Sequence, residues 1–304
     1  MYDTIIIGAG IAGCTAAIYA SRKKMDYLLI TDKFGGQFFE SGEVLNYPGI
    51  QLTTGAEFAG IMEKQLKFNK VKLNEGELVK EIKKSGKNCY KVVTDKNKYL
   101  TKTIIIATGA RARQLKVPGE QEFKNKGLTY CAVCDGPLFQ GKDVAVIGGG
   151  DSAAEAVDFM LNIAKKVYLI VRGSNLTAHE YLQERLKQHK KVEILFNADT
   201  KEIIGDRFVS GIRLYHKGKK KEIKVKGVIV EIGRIPNTDF LKGFVKFDEH
   251  NHVLVDHWCY TSKPGIFSAG DCCSVHEYQY VIAAGQGCIA LLKAARYLSK
   301  FKEE

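Results

Sequence analysis

Two cysteines separated by two residues stand near the middle of the chain, in the segment "CAVC" from Cys131 to Cys134, and Asp135 follows directly. A C-x-x-C pair can be half of a zinc site, a structural disulfide or a redox-active dithiol. When such a pair lies near the start of a helix, one thiol has a lowered pKa and exchanges readily with disulfides. A neighbouring carboxylate can supply or accept the proton as the thiols cycle. Other features of the sequence are needed to distinguish these three kinds of site.

The remaining cysteines argue against zinc. They stand at positions 14, 89, 259, 272, 273 and 288, and no two of them repeat the C-x-x-C spacing. A structural zinc site normally takes four ligands, which would need a second cysteine pair or histidines at ligand spacing. Neither is clear, so we predict no metal site and expect most of these thiols to be reduced. The role of the adjacent Cys272 and Cys273 stays open.

A glycine motif near the N-terminus, "GAGIAG", has the pattern G-x-G-x-x-G between an apolar run and a helical pattern. Gly8 permits the tight turn, Gly10 lets the backbone approach a pyrophosphate, and Gly13 allows close packing of helix on strand. The N-terminus of the helix then faces the phosphate charge. Asp32 stands at the end of the next apolar run, where a carboxylate can bind ribose hydroxyls. We predict a dinucleotide here.

A second glycine motif, "GGGDSA", begins at Gly148 and includes Gly150. Ala153 replaces the last glycine, and the packing role of that position tolerates a methyl group. Two motifs predict two dinucleotides, a tightly held flavin and a transient nicotinamide. The alternative is a degenerate second motif that keeps the fold and has lost its ligand.

Composition and charge narrow the class of protein. The 304 residues are 45% hydrophobic and 26% charged, which is typical of a soluble globular protein with room for two domains. No apolar run approaches the roughly 20 residues that span a bilayer, and the N-terminus lacks a basic leader, so we expect a cytoplasmic protein with no membrane contact. The net charge of +12 comes from scattered lysines without interleaved aromatic residues. This argues against nucleic acid and favours acidic protein partners.

Each glycine motif lies in a βαβ pattern. The predicted elements are strands over Asp26–Thr31, Thr103–Ala107, Asp143–Ile147 and Val167–Val171, helices starting near Gly10–Cys14 and Gly150–Ala153, and a long helix over Val281–Leu298. We therefore predict an α/β protein with two Rossmann-like, three-layer nucleotide-binding domains.

Eight short motifs resemble those of low-molecular-weight thioredoxin reductases and occur in the same order over essentially the whole chain. They are "GAGIAG", "GGQ", "NYPG", "IIIATGA", "YCAVCDG", "VIGGGDSA", "GRIPNT" and "GIFSAGD". Flavoproteins of the same fold that reduce ferredoxin or bacillithiol disulfide lack the C-x-x-C at this place. The resemblance therefore favours a redox pair over a metal site or a structural disulfide.

The resemblance implies a homodimeric thioredoxin reductase that passes electrons through FAD to a thioredoxin-like protein. It implies a discontinuous FAD domain, residues 1–113 and 241–304, and an inserted pyridine-nucleotide-type domain, 114–240, that carries the C-x-x-C. Cys134 would lie against the flavin, Cys131 would attack the disulfide of thioredoxin, and Asp135 would be the acid/base. The residues implied to bind FAD are Gly8, Gly10, Gly13, Asp32, Gly36, Gln37, Asn46, Thr108, Gly109, Gly270, Asp271 and Gln279. The helix that follows Asp271 would direct its N-terminus at the flavin.

Two departures from the family pattern bear on the electron donor. Members that use NADPH hold its 2′-phosphate with several arginines in H-R-R-x-x-x-R, but "VRGSNLT" keeps only Arg172. Tyr278 and Tyr280 flank Gln279 where the family commonly has arginine and alanine, either as shields of the ring or as ordinary packing.

We predict NAD(P)H as the donor, held by Gly148, Gly150, Ala153 and Arg172. The alternative is an enzyme that takes electrons from ferredoxin or a deazaflavin. A zinc-stabilised binding module and a flavin-bound redox sensor without turnover are rivals from other classes.

Overall fold

The computed structural model describes residues 1–41, 43–44 and 46–300, except for the side chains of residues 40, 43, 133 and 134. The chain divides into two compact units. The first comprises Met1–Phe39, Val44–Arg111 and Ile235–Glu304, and the second comprises Glu40–Glu43 and Ala112–Arg234.

The described residues form six α-helices and nineteen strands, several of them short. The helices are α1 (Ile11–Arg22), α2 (Gly55–Phe68), α3 (Ala132–Asp135), α4 (Asp151–Met160), α5 (Glu180–Gln188) and α6 (Tyr280–Ser299). The strands are β1 (Tyr2–Ile7), β2 (Tyr27–Thr31), β3 (Glu43–Val44), β4 (Thr53–Thr54), β5 (Leu73–Glu75), β6 (Val79–Gly86), β7 (Cys89–Thr94), β8 (Lys98–Ile106), β9 (Ala110–Ala112), β10 (Leu128–Thr129), β11 (Asp143–Ile147), β12 (Lys166–Ile170), β13 (Val192–Leu195), β14 (Ala198–Gly205), β15 (Val209–His216), β16 (Lys219–Lys224), β17 (Gly227–Val230), β18 (Arg234–Pro236) and β19 (Ile266–Ser268). Short 3₁₀ helices cover Gly36–Glu40, Gly136–Phe139 and Asp239–Leu241.

A seven-stranded sheet forms the centre of the first unit. Its order is β5–β2–β1–β8–β7–β6, with β19 paired to the end of β8. β1 is parallel to both β2 and β8, whereas β6, β7 and β8 form an antiparallel meander. The runs of isoleucine in β1 and β8 are buried on both faces, as β-branched residues in a central parallel strand usually are.

Alternation along these strands divides the core of the first unit into two layers. Ile6 and Ile105 pack with the buried faces of α1, α2 and α6. Ile5 and Ile104 point to the opposite side and pack with residues of β6 and β7. The sheet therefore lies between a helical layer and a second apolar layer.

The second unit has the same plan. A parallel sheet of order β10–β17–β11–β12–β13 lies beside a three-stranded antiparallel sheet, β14–β15–β16. Val144 and Val146 of β11 pack with α4 and α5, while Ala145 and Ile147 pack with β14 and β15. The α/β class with two Rossmann-like three-layer units, predicted from the glycine motifs, is confirmed.

Apart from the short segment Glu40–Glu43, the chain passes between the units at Arg111/Ala112 and at Arg234/Ile235. Both points lie within short strands, β9 and β18, that pair with each other. The domain boundaries after residues 113 and 240, which the resemblance implies, stay a prediction.

Helix α6 is the one described helix that bears on the expectation of no membrane contact. It has 20 residues, and an 18-residue window within it has a mean hydropathy of 1.2. By length and composition alone it could cross a membrane, and no other helix among the described residues meets these two criteria. A core helix meets the same criteria. Ala283, Ala290, Leu291 and Ala294 of α6 are buried in the cluster that contains α1, which accounts for the apolar side of the helix.

Candidate active site

The first glycine turn joins β1 to α1 and leaves an open cradle at its centre. Gly8 has φ +102°, and a Cβ there would lie 2.3 Å from the Ala107 carbonyl oxygen. A Cβ on Gly13 would lie 1.8 Å from the Gly8 carbonyl oxygen, so only glycine fits at either position. Around Gly10, by contrast, no atom lies within 4 Å of the Cβ position. The turn thus requires glycine at positions 8 and 13 and leaves open space at Gly10, as the motif predicts.

The start of α1 has the features of an anion-binding site. Its N-cap is Gly10, no side chain caps it, and no acidic residue lies in its first turn. The first N–H groups of a helix have no partner within the helix, and its dipole favours negative charge at this end. With the open space at Gly10, these features fit the pyrophosphate of a dinucleotide.

Three other segments of the first unit converge on this turn. A Cβ on Gly36 would contact Gly10 Cα at 3.4 Å, and one on Gly270 would contact Ala12 Cβ at 3.1 Å. Thr108 follows β8, and its Cα lies 3.1 Å from the Cβ position of Gly8. Residues far apart in the chain therefore meet at the start of α1.

Side-chain hydrogen bonds fix these segments. Gln37 Nε2 donates to the Ala110 carbonyl oxygen at 2.9 Å. Asn46 Nδ2 donates to Gln279 Oε1 at 3.0 Å. The predicted residues Gln37, Asn46 and Gln279 are thus held by the unit itself.

Asn237 clamps the Thr108–Gly109 turn, in which Gly109 has φ +63°. Thr108 Oγ1 donates to the Asn237 carbonyl oxygen at 2.8 Å, and Asn237 Nδ2 donates to the Thr108 carbonyl oxygen at 2.9 Å. The motif "GRIPNT" contains Asn237, but the sequence alone gave it no role.

Two predicted carboxylates lie at this end of the unit. Asp32 directly follows β2 and is exposed. Because β2 is parallel to β1, Asp32 and the glycine turn lie at the same edge of the sheet. Asp271 is half-buried beside Gly270, whose N–H donates to Gln286 Oε1 at 2.8 Å.

The helix that follows Asp271 is α6, which begins only at Tyr280. Its N-cap is Gln279, without a side-chain cap or an acidic residue in the first turn. Tyr280 packs against Phe38 and Phe58, with ring centroids 5.4 and 5.5 Å apart, and its hydroxyl donates to the Gln37 carbonyl oxygen at 3.1 Å. These contacts agree with ordinary packing for Tyr280.

The cysteine motif lies in the second unit. Cys131 directly precedes α3 and is disulfide-bonded, whereas cysteines 14, 89, 259, 272, 273 and 288 are free. Thr129 Oγ1 accepts from the Cys131 N–H at 3.1 Å. The Asp135 N–H donates to the Cys131 carbonyl oxygen at 3.3 Å, one helical turn away. The side chain of Cys134, the predicted second member of the pair, lies outside the described residues.

The second glycine turn joins β11 to α4 and is built like the first. Gly148 has φ +153°, and a Cβ there would lie 2.0 Å from the Glu231 carbonyl oxygen. Ala153 is fully buried beneath it, with its Cβ 2.7 Å from the Cβ position of Gly148. Gly150 is the N-cap of α4, and no side chain caps this helix. The second turn therefore has the backbone geometry that the glycine motif predicts.

The loop after β12 folds onto this turn. Arg172 is exposed near its start. The Thr177 N–H donates to the Gly149 carbonyl oxygen at 2.8 Å, and the His179 N–H donates to Asp151 Oδ1 at 2.7 Å. Thr177, the last residue of "VRGSNLT", is thus hydrogen-bonded to the backbone of the turn.

Three carboxylates near the second turn were missed by the sequence analysis. Asp151 lies in the first turn of α4, Glu155 one turn later, and Glu231 directly after β17. Burial raises the pKa of Glu231 to about 7; the Arg234 guanidinium opposes this rise and Glu155 adds to it. Partial burial, followed by the charge of Asp151, also raises the pKa of Glu155. Three carboxyl groups thus lie near this turn, and the raised pKa values of Glu155 and Glu231 favour their protonated forms.

Comparison with known proteins identifies the class. The family model described as "Pyridine nucleotide-disulphide oxidoreductase" matches residues 2–289. The chain is 40% identical to a Bacillus subtilis protein named NADH dehydrogenase, over 98% of this chain and 58% of that protein. It is 36% identical to an Escherichia coli protein named as a subunit of alkyl hydroperoxide reductase, over 99% of this chain and 59% of that protein. The chain thus spans less than two thirds of the length of these curated relatives.

Solved structures match over their whole length. Lactococcus lactis thioredoxin reductase in its FR conformation is 33% identical, with a TM-score of 0.85 over 99% of this chain and 100% of that one. A ferredoxin-flavin thioredoxin reductase from Clostridium acetobutylicum is 27% identical, with a TM-score of 0.54 over 98% of each chain. The resemblance to thioredoxin reductases drawn from the motifs is confirmed.

Proposed function

The chain belongs to the pyridine nucleotide-disulphide oxidoreductase family and is an FAD-dependent oxidoreductase, and on that premise we propose that it is a thioredoxin reductase. Its disulfide would be formed by Cys131 and Cys134, and its substrate would be the disulfide of a thioredoxin-like protein. The observation that carries the proposal is the bonded state of Cys131 directly before α3, in a chain whose six other described cysteines are free.

FAD would be held in the first unit, where the open space at Gly10 and the uncapped start of α1 support its pyrophosphate. When bound, FAD supplies two-electron redox chemistry between the donor and the cysteine pair. The proposed binding residues are Gly8, Gly10, Gly13, Asp32, Gly36, Gln37, Asn46, Thr108, Gly109, Gly270, Asp271 and Gln279.

Thiol–disulfide exchange would then carry the electrons to the partner. Two electrons and two protons convert the Cys131–Cys134 disulfide to two thiols. The Cys131 thiolate attacks one sulfur of the partner's disulfide, forms a mixed disulfide and releases the partner's other sulfur. The Cys134 thiolate attacks the Cys131 sulfur, which closes the pair again and leaves the partner as a dithiol. Asp135 would exchange the protons, since its backbone lies one turn from Cys131.

NADH is the donor that the second unit supports best. The turn at Gly148, Gly150 and Ala153 is built for a pyrophosphate. Arg172 stands alone in "VRGSNLT", and a 2′-phosphate needs several guanidinium contacts. We therefore propose NADH rather than NADPH. The relative named NADH dehydrogenase agrees with this choice.

A second candidate is a reductase that takes its electrons from ferredoxin. The carboxyl groups of Asp151, Glu155 and Glu231 near the second turn favour it, because each one opposes the charge of a pyrophosphate once it is deprotonated. A similar structure is named a ferredoxin-flavin thioredoxin reductase.

An anaerobic titration of the yellow protein distinguishes the donors. NADH, NADPH and reduced ferredoxin are added in separate cuvettes while the flavin absorbance is followed. Rapid bleaching by NADH supports the first candidate, and bleaching by ferredoxin alone supports the second.

Cysteine variants test the route through the disulfide. Cys134→Ser should retain FAD and its reduction by the donor but lose reduction of thioredoxin. Cys89→Ser is the matched control, because Cys89 is free and lies in β7. Full thioredoxin reduction by Cys134→Ser would refute the proposal. So would an unchanged protein whose rate of donor oxidation does not depend on any disulfide acceptor.

A further inference from the structure

Two histidines and an aspartate of the first unit meet at one point outside the proposed FAD residues. We propose that Asp248, His252 and His276 form a binding site for a divalent transition-metal ion, with Zn²⁺ as the best fit. The sequence predicts no metal site, because neither a second cysteine pair nor histidines at clear ligand spacing accompany the C-x-x-C pair.

The three ligand atoms lie at suitable distances. Asp248 Oδ2 is 2.9 Å from His276 Nε2 and 3.4 Å from His252 Nδ1, and all three atoms lie within 4.8 Å of one another. An ion with bonds of about 2.0–2.1 Å in tetrahedral geometry holds neighbouring ligand atoms roughly 3.3 Å apart. A single ion can therefore contact all three with little movement.

Two of these atoms are buried without a hydrogen bond. His252 is 2% exposed, and both its Nδ1 and Asp248 Oδ2 lack a hydrogen-bond partner among the described residues. The 3.4 Å between these two atoms is an ion-pair distance. A buried polar atom without a partner is costly, and an ion between the two would satisfy both.

The neighbouring contacts orient the ligands as metal sites require. His252 Nε2 lies 2.9 Å from the Tyr278 hydroxyl, and with the ring proton on Nε2 the lone pair of Nδ1 faces the cluster. Asp248 Oδ1 accepts from the N–H groups of His250 and His252 at 2.8 and 2.9 Å, which leaves Oδ2 to face inward.

His276 is placed by its backbone and gives the site an entrance. It has φ +63°, a conformation that non-glycine residues seldom adopt. Its side chain is 42% exposed, while that of His252 is 3% exposed. An ion can therefore enter from the His276 side.

The donor set selects the class of metal. Two imidazole nitrogens and one carboxylate suit Zn²⁺ and neighbouring transition ions, whereas Mg²⁺ and Ca²⁺ prefer oxygen ligands. Three protein ligands leave a fourth position for water.

The test is calorimetric titration of the oxidised holoenzyme with Zn²⁺. Oxidation keeps Cys131 in its disulfide and so removes its thiolate as a ligand. One ion should bind per chain with micromolar or tighter affinity. His276→Asn should weaken binding about hundredfold or more, since asparagine tolerates positive φ but is a poor ligand. Tyr278→Phe should weaken it about 10–100-fold, as loss of an orienting partner does.

His250→Asn is the matched control, because His250 neighbours the site with its ring 6.0 Å from that of His276 but supplies none of the three ligand atoms. Its affinity should equal that of the unchanged protein. X-ray absorption of the bound zinc should show nitrogen and oxygen ligands. The proposal is wrong if Zn²⁺ does not bind saturably, if zinc is bound through sulfur, or if His276→Asn and Asp248→Asn bind as tightly as the control.

Discussion

Two glycines of the first turn, Gly10 and Gly13, place opposite demands on a side chain. Gly10 has φ −77° and open space around its Cβ position, so the fold accepts a larger residue there. A Cβ on Gly13 would instead lie 1.8 Å from a backbone oxygen. Gly10 therefore leaves open space beside the turn, whereas close packing requires glycine at position 13.

We therefore expect Gly10→Leu to fold but lose FAD, because its side chain fills the proposed pyrophosphate space. Gly13→Ala should destabilise the chain by several kcal/mol, roughly 2–5, because α1 must move away from the turn. Thermal unfolding of the FAD-free proteins and flavin content after purification measure the two effects. If Gly10→Leu retained FAD at full occupancy, the cradle would have been assigned to the wrong ligand.

Glu231 makes the stability of the protein depend on pH. Its pKa rises from 4.5 to about 7 on folding, mainly through burial. The folded state therefore binds more protons than the unfolded state between these values, and stability is lost as the pH rises through that window. Glu231→Gln removes this loss, so it should be more stable than the unchanged protein above pH 7, by about 2–3 kcal/mol, and similar to it below pH 4.5.

Urea unfolding at pH 4.5 and pH 8 measures the change. Glu249→Gln is the control, because that carboxylate has an 86% exposed side chain and should show no comparable difference. Equal effects of Glu231→Gln at the two pH values would mean that the carboxyl is not protonated near neutrality.

At the scale of elements, the close crossing of α6 and α1 supports the glycine turn. A Cβ on Gly287 of α6 would lie 2.1 Å from the Ala12 carbonyl oxygen, so the two helix backbones are nearly in contact there. Gly285, half a turn away, has nothing within 4 Å of its Cβ position. The same helix thus offers a critical glycine and a tolerant one.

Gly287→Ala should destabilise the protein by roughly 2–4 kcal/mol and release FAD, because it pushes α6 away from the start of α1. Gly285→Ala should stabilise it by about 0.5–1 kcal/mol, since alanine favours a helix over glycine. Chemical unfolding and flavin fluorescence distinguish the variants. A Gly287→Ala protein as stable as Gly285→Ala would show that the crossing is looser than described.

Sequence patterns predicted those elements whose signal is local. Apolar β-branched runs followed by glycine gave β1, α1, β11 and α4, and turn chemistry at Gly8 and Gly148 gave the two dinucleotide motifs. Groups that meet only through long-range topology were missed. Glu231 reaches the second turn because β17 pairs with β11, and no local pattern records that pairing.

The cluster of Asp248, His252 and His276 shows the same limit. Asp248 and His252 are four residues apart and could have been noticed as ligand spacing. His276 joins them only because the segments around Val253 and Cys273 form a bridge. Two possible ligands without a third do not suffice to predict a metal site from the sequence.

At the scale of the whole molecule, the net charge of +12 should govern how fast protein partners arrive. Strand β16 shows the distribution, because Lys219, Lys220 and Lys224 are exposed along one short element. Such a field attracts acidic proteins over several ångströms and is screened by salt, since the Debye length falls to about 8 Å at physiological ionic strength.

We therefore expect kcat/KM for an acidic thioredoxin or ferredoxin to fall about tenfold as salt is raised from low to physiological ionic strength and above. An uncharged small disulfide is the control substrate, because the field does not steer it. Replacing Lys219 and Lys220 together with glutamine should reduce the salt dependence if β16 faces the approaching partner, without changing the rate with the small disulfide. Steady-state rates over a series of salt concentrations measure both. A rate with the acidic partner that is as insensitive to salt as the control would mean that docking, not electrostatic encounter, limits the reaction.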